Sequence, residues 1–170
     1  MSGGDQIRTT AEAHEEAALA QARPNARVVH ADPDISSAEQ KPLPEAIARK
    51  PVEEKSPAEW AYERLILYIQ NFEEQLDGDH EIAMGFAGSD SGVMRIEGIG
   101  FFDPDIVTFY GSDETGAKTQ LIQHVTQLNV MLRALPKQVD DEAPARIGFR
   151  LVADLEQEAP VEAETAHGER

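Results

Sequence analysis

The side chains best able to do chemistry lie in the second half of the chain. His124 follows Gln123 and is trailed by Gln127 and Asn129. A histidine among amides at an element junction suits a ligand or partner site. It equally suits the capping of backbone groups that a helix end leaves unpaired. Asp103-Pro104-Asp105 places two carboxylates in one turn, and with Glu97 they could form an oxygen-rich cation site. Pro and Asp are also ordinary turn formers, and carboxylates that share catalysis usually face each other across a cleft. Trp60 is the one further candidate, as an aromatic anchor for a protein partner.

Stronger catalytic signatures are missing. No His-Glu-x-x-His is present, and Gly98-Ile99-Gly100 precedes no helix that could bind a phosphate. Gly88-Ser89-Asp90-Ser91-Gly92 lacks the spacing of a nucleophile elbow. Asp77-Gly78-Asp79-His80-Glu81 lacks the twelve-residue calcium-loop spacing. The chain has no cysteine, which excludes disulfides, thiolate metal sites and a cysteine nucleophile. No catalytic residue, metal or cofactor is assigned.

Composition narrows the partners. Across 170 residues, 15 Lys+Arg stand against 32 Asp+Glu, a formal net charge of -17. Nucleic-acid binding by cation–phosphate contact is therefore not expected. No apolar run reaches membrane-span length, and Met1 to Asp5 opens no signal peptide. The expectation is a soluble, cytoplasmic protein with no membrane contact.

The elements that must position these groups occupy the middle of the chain. All six Phe, all three Tyr and the one Trp fall between Trp60 and Phe149, whereas five of ten Pro precede Ser56. Residues 1–55 read as a disordered N-terminal arm, 56–155 as a single α+β domain, and 156–170 as a disordered acidic tail. Within the arm, Thr9-Thr10-Ala11-Glu12 opens a nascent helix reaching Ala22. Ser56-Pro57-Ala58-Glu59 starts the first core helix, with Ala61, Leu65, Tyr68, Phe72 and Leu76 at helical spacing. Ile66 and Ile69 widen that stripe, which suggests burial on more than one side, against a second chain included.

Four strands are expected next, around Ile82–Phe86, Met94–Glu97, Ile106–Tyr110 and Lys118–Val125. Gly98 and Gly100 mark a bulge or a close backbone approach. Leu128, Met131, Leu132 and Leu135 are spaced i, i+3, i+4, i+7, predicting a second helix capped by Thr126 and stopped by Pro136. Ile147, Phe149 and Leu151 alternate with Gly148, Arg150 and Val152, predicting a last strand. The expected fold is a helix, a four-strand antiparallel meander, a helix and a final strand, with both helices on one face. Of the aromatics Trp60, Tyr62, Tyr68, Phe101, Phe102 and Tyr110, most are expected in the core.

Three stretches together resemble an uncharacterised bacterial family, a domain of unknown function. They are Ser56-Pro57-Ala58-Glu59-Trp60 with Tyr62-Glu63-Arg64-Leu65, Gly98 through Asp105 to Phe109-Tyr110-Gly111, and Gln120 through His124 to Val130. The resemblance covers about Ser56 to Leu155. It implies a compact bacterial domain with variable tails, and no activity, substrate or catalytic residue.

Two functions fit these residues. The first is a non-enzymatic interaction or adaptor module, binding a protein partner through the arm or the first helix, or pairing as a homodimer. The second is a small-ligand-binding protein or hydrolase with a polar site at His124, Gln127, Asn129, Asp103 and Asp105.

Overall fold

The computed structural model describes residue 10 and residues 25–86, 92–140 and 142–157. The nascent helix expected from Thr9 to Ala22 lies outside them, Thr10 apart, as do most of the Gly88–Gly92 turn and of the 156–170 tail. The chain divides into two compact units, Met1–Arg49 and Lys50–Arg170. The described part of the first holds a 3-10 turn at Ala38–Gln40 and one turn of helix, α1, at Glu45–Ala48. The 3-10 turn is held by Gln40, whose side-chain carbonyl accepts from the Ser37 backbone N–H at 3.0 Å.

The second unit opens with a 3-10 turn at Val52–Glu54 and then α2, Pro57–Glu74. The start of α2 follows from local chemistry. Ser56 Oγ accepts from the Glu59 N–H at 3.1 Å, and Pro57 takes the first helical position, where no N–H is needed. Ala58, Ala61, Leu65, Ile66 and Ile69 are buried along it.

Strands β1 (His80–Phe86), β2 (Val93–Phe102), β3 (Ile106–Ser112), β4 (Lys118–His124) and β5 (Val130–Pro136) form one antiparallel sheet in the order β4-β3-β2-β1-β5. A register shift between Ile96 and Gly98 makes Glu97 a bulge. One face carries Ile82, Met84, Met94, Ile96, Ile99, Val107 and Phe109, all buried with the α2 residues in one core.

The sheet is strongly coiled. Phe86 lies one step beyond the Gly85–Val93 pair, whereas Phe109 pairs with Ile99. In a flat sheet that offset alone would separate the two by roughly 20 Å. Their ring centroids are 5.1 Å apart, edge to face. The β4–β5 connection demands the same curvature. It leaves one edge of the sheet and enters the other through residues 125–129 only, a reach of at most about 22 Å. It would have to cross about 19 Å of flat sheet and also run back along the strands. Coiling brings those diagonal corners together, and the connector rests on α2 with Val125 and Leu128 against the core.

Two expected elements are exchanged in type. The stretch expected as a helix at Leu128–Leu135 is β5, paired with β1 over seven rungs from His80–Pro136 to Phe86–Val130. Val130 and Leu132 turn inward against the core while Met131 is exposed. The helical spacing arose because Leu128 belongs to the connector and Met131 to the outer face. The expected last strand is instead helix α3, Ile147–Gln157. Ile147, Leu151 and Leu155 pack inward at i, i+4, i+8, and Phe149 is left 76% exposed. Its first turn is fixed by α2, because Glu73 accepts from the N–H groups of Ile147 at 3.0 Å and Gly148 at 2.8 Å. At Gly148 the two helices meet so closely that a Cβ would lie 2.9 Å from the Gln70 Cα. The order is therefore helix, five strands, helix.

Candidate functional site

The turn Asp103–Asp105 joins two elements. The Ser56 hydroxyl donates to the Asp103 carboxylate, and the Ala58 N–H donates to the Pro104 carbonyl at 3.0 Å, tying the turn to the start of α2. On its other side the Val125 N–H donates to the Asp105 carbonyl at 2.7 Å. The His124 ring completes this clasp. The Thr126 backbone N–H donates to Nδ1 at 3.2 Å, so Nε2 carries the proton and donates to the Asp105 carboxylate at 3.0 Å. His124 thereby caps the 3-10 turn Val125–Gln127. No helix begins there, contrary to the reading that placed these polar groups at a helix start.

The remaining candidates lie apart from that clasp. Gln127 is exposed on the 3-10 turn. Asn129 sits at the entry to β5 and lines a groove of about 270 Å³ with Phe86, Val93, Glu114, Met131 and Arg133. Glu97 accepts from Lys118 Nζ at 2.9 Å rather than joining Asp103 and Asp105. Among the described residues, no three His, Cys, Asp or Glu side chains are grouped to hold a metal ion.

Trp60 is half-buried between two cations. Lys55 Nζ lies 4.8 Å and Arg64 Cζ 4.9 Å from its ring. Lys55 also meets Glu63 at 2.6 Å, a pair whose side chains are 1% and 8% exposed. Burial pushes the Glu63 carboxyl above its ordinary range, against the hydrogen bond and charge of Lys55. Glu73 is likewise raised by burial, opposed by its two backbone donors. On the surface, the His80 ring holds the Asp77 carboxyl below its usual range through a hydrogen bond. Nothing in the spacing of Lys55 and Glu63, eight residues apart across a helix start, announces their burial.

The feature that sequence reading missed is the outer face of β2, β3 and β4. Three rows cross it in register: Gly98, Tyr110 and Gln120; Gly100, Thr108 and Ile122; Phe102, Ile106 and His124. None of the nine is Asp, Glu, Lys or Arg. Phe102 is 76%, Ile122 63% and Tyr110 44% exposed. The aromatic set expected in the core thus divides: Tyr62 and Phe101 meet inside, their tilted rings 5.0 Å apart, whereas Phe102, Tyr110 and Tyr68 are exposed. The Tyr110 ring lies over Gly98 and Gly100 at ordinary contact distance, and at Gly100 a Cβ would come within 2.7 Å of the Thr108 hydroxyl. Alternation alone could have put Phe102, Tyr110 and Ile122 opposite Phe101, Phe109 and Leu121. It could not say which set α2 covers.

These features define a small α+β domain: a coiled five-strand antiparallel sheet cupping a helix, with its polar turn closed on itself and an uncharged outer terrace. The chain belongs to a family of unknown function, DUF6173, whose model matches residues 51–150. No curated protein and no solved structure matches the chain. No helix among the described residues is long and apolar enough to cross a membrane.

Proposed function

We propose that the protein is a non-enzymatic interaction module that binds protein through the terrace on β2, β3 and β4. The carrying observation is the three-row uncharged surface with Phe102, Tyr110 and Ile122 exposed together. Exposed apolar side chains grouped on one face, unlike singly scattered ones, often form a binding surface. Its setting sharpens the contrast, because residues 57–155 carry 17 acidic side chains against seven basic ones. What favours this reading over a ligand site at His124 is that the ring, Asp103 and Asp105 are all engaged in holding α2, β4 and the connector. In this reading the N-terminal arm tethers the module, and the protein works in the cytoplasm of a bacterium.

The test is capture from the native host with the full chain and with Ile122→Lys, whose exposed site tolerates the change. A stoichiometric protein held by the wild type and lost by the variant is the expected result. Equal retention by both, or a self-association that the variant leaves intact, overturns the terrace as the working surface.

A further inference from the structure

Away from the terrace, we infer that the groove beside Asn129 is a binding site for a free apolar α-amino acid. It lies on the outer face, at the end of the sheet marked by Phe86 and Gly92. One row of the ladder makes its floor: Met131 stands opposite Gly85, and Gly85 opposite Val93. The middle position has no side chain, which leaves the depression. A Cβ on Gly85 would stand in it, 3.8 Å from the Met131 Cβ and 3.9 Å from a Val93 methyl. The space is about 270 Å³. At about 30 Å³ for each water-sized group, it admits roughly nine non-hydrogen atoms, the size of leucine.

The walls carry opposite charges. On the β5 side stand Asn129 and Arg133, on the same face of the strand as Met131. On the β2 side Glu114 reaches over Gly92, its carboxylate carbon 3.6 Å from where a Cβ would be. The neighbouring row explains why Arg133 is left open. Arg133 and Arg95 both flank Ala83. The nearby carboxylate of Glu81 is already engaged, accepting from Arg95 at 3.0 Å and from the Ala145 N–H at 3.0 Å. Among the described residues, the side chains of Arg133, Asn129 and Glu114 make no hydrogen bond or ion pair. A few unsatisfied polar groups converging on an apolar floor are the make-up of a small-ligand site.

The chemistry selects a zwitterion. Guanidinium and carboxamide groups donate to a carboxylate, and Glu114 accepts from an ammonium. A plain carboxylate would meet Glu114 and a chain of net charge -17. A plain amine would meet Arg133. β5 and β2 flank β1, so their backbones are about 10 Å apart. Hydrogen bonds of about 2.9 Å at either end, with the short span between ammonium and carboxylate, bridge two walls that do not reach each other. The apolar side chain then rests on Met131, Val93 and Phe86.

The experiment titrates the full chain with L-leucine and L-methionine by isothermal titration calorimetry. One site per chain, with a Kd below about 1 mM for at least one of them, is the expected result. Arg133→Gln and Glu114→Gln, both at exposed positions, should each weaken binding about tenfold or more. Leucinamide, which lacks the carboxylate, and isocaproate, which lacks the ammonium, should bind about tenfold more weakly than leucine. Gly85→Ala should weaken binding with an unchanged melting temperature, because its methyl enters the groove at ordinary contact distance from its neighbours. Ile122→Lys should leave binding intact, which separates this site from the terrace. No binding of either amino acid at about 10 mM overturns the inference. So does binding that survives Arg133→Gln, or an analogue that binds as tightly as leucine.

Discussion

Replacing Lys55 by Met is expected to destabilise the domain by about 3–5 kcal/mol, the usual cost of stranding one member of a buried ion pair. The ammonium and the Glu63 carboxylate are 2.6 Å apart, with side chains 1% and 8% exposed. Methionine retains most of the aliphatic stem, so the loss is electrostatic rather than a cavity. Glu63 is already held above its ordinary carboxyl range by burial with Lys55 present, and without the cation it rises further. Trp60 is the single tryptophan, and Lys55 Nζ lies 4.8 Å from its ring. Its fluorescence through urea unfolding therefore reads the event directly. Glu63→Leu should cost a similar amount by stranding Lys55. The double variant should lie within about 1 kcal/mol of wild type, because apolar replacement of a buried pair is commonly neutral, giving a coupling of about 5 kcal/mol or more.

The pH dependence follows from linkage. A carboxyl whose folded pKa lies above its unfolded value binds more protons when folded, so its contribution to stability is fullest below the ordinary value of 4.5 and falls as pH rises through the folded pKa. The Lys55→Met penalty should accordingly shrink on acidification, as the stranded Glu63 takes up its proton. A Lys55→Met variant within about 1 kcal/mol of wild type at neutral pH, or a penalty that grows toward acid, would refute the reasoning.

Further perturbations test the packing. Gly148→Ala should cost about 1–3 kcal/mol, since its Cβ would meet the Gln70 Cα at 2.9 Å; urea unfolding measures it, and an unchanged midpoint would mean that α2 and α3 are not in that contact. Glu73→Ala should speed hydrogen exchange at Ile147 and Gly148, whose amides it accepts. Phe109→Ala should cost about 3–5 kcal/mol, whereas Phe102→Ala, on the opposite face, should stay within about 0.5 kcal/mol. Equal losses at both would contradict the coiled sheet and its one-sided core.

Much of the local structure was legible because it rests on near neighbours. Ser56, Pro57 and Glu59 specify the start of α2 within one turn, and alternation of Ile82, Met84 and Phe86 specifies β1. Gly98 signalled the bulge that the ladder shows beside it. The tail of the domain failed for a common reason. Leu128–Leu135 and Ile147–Val152 are short apolar runs whose spacing fits either period, and tertiary partners choose between them. β1 needed an edge partner, so the first run became β5. Glu73 offered a carboxylate to two free amides, so the second became the first turn of α3. Reading on to Leu155 would have exposed the i, i+4, i+8 spacing in α3.

The candidate site divides in the same way. By itself the sequence determined the residue inventory: no cysteine, an acidic chain, an Asp-Pro-Asp turn, and one histidine beside amides. It could not determine that His124 closes onto Asp105, because that contact joins the end of β4 to the turn before β3, far away along the chain. Nor could it determine that Phe102, Tyr110 and Ile122 face outward together. Alternation defines two faces for every strand. Only the seating of α2 in the cup decides which face is core and which is left to meet a partner.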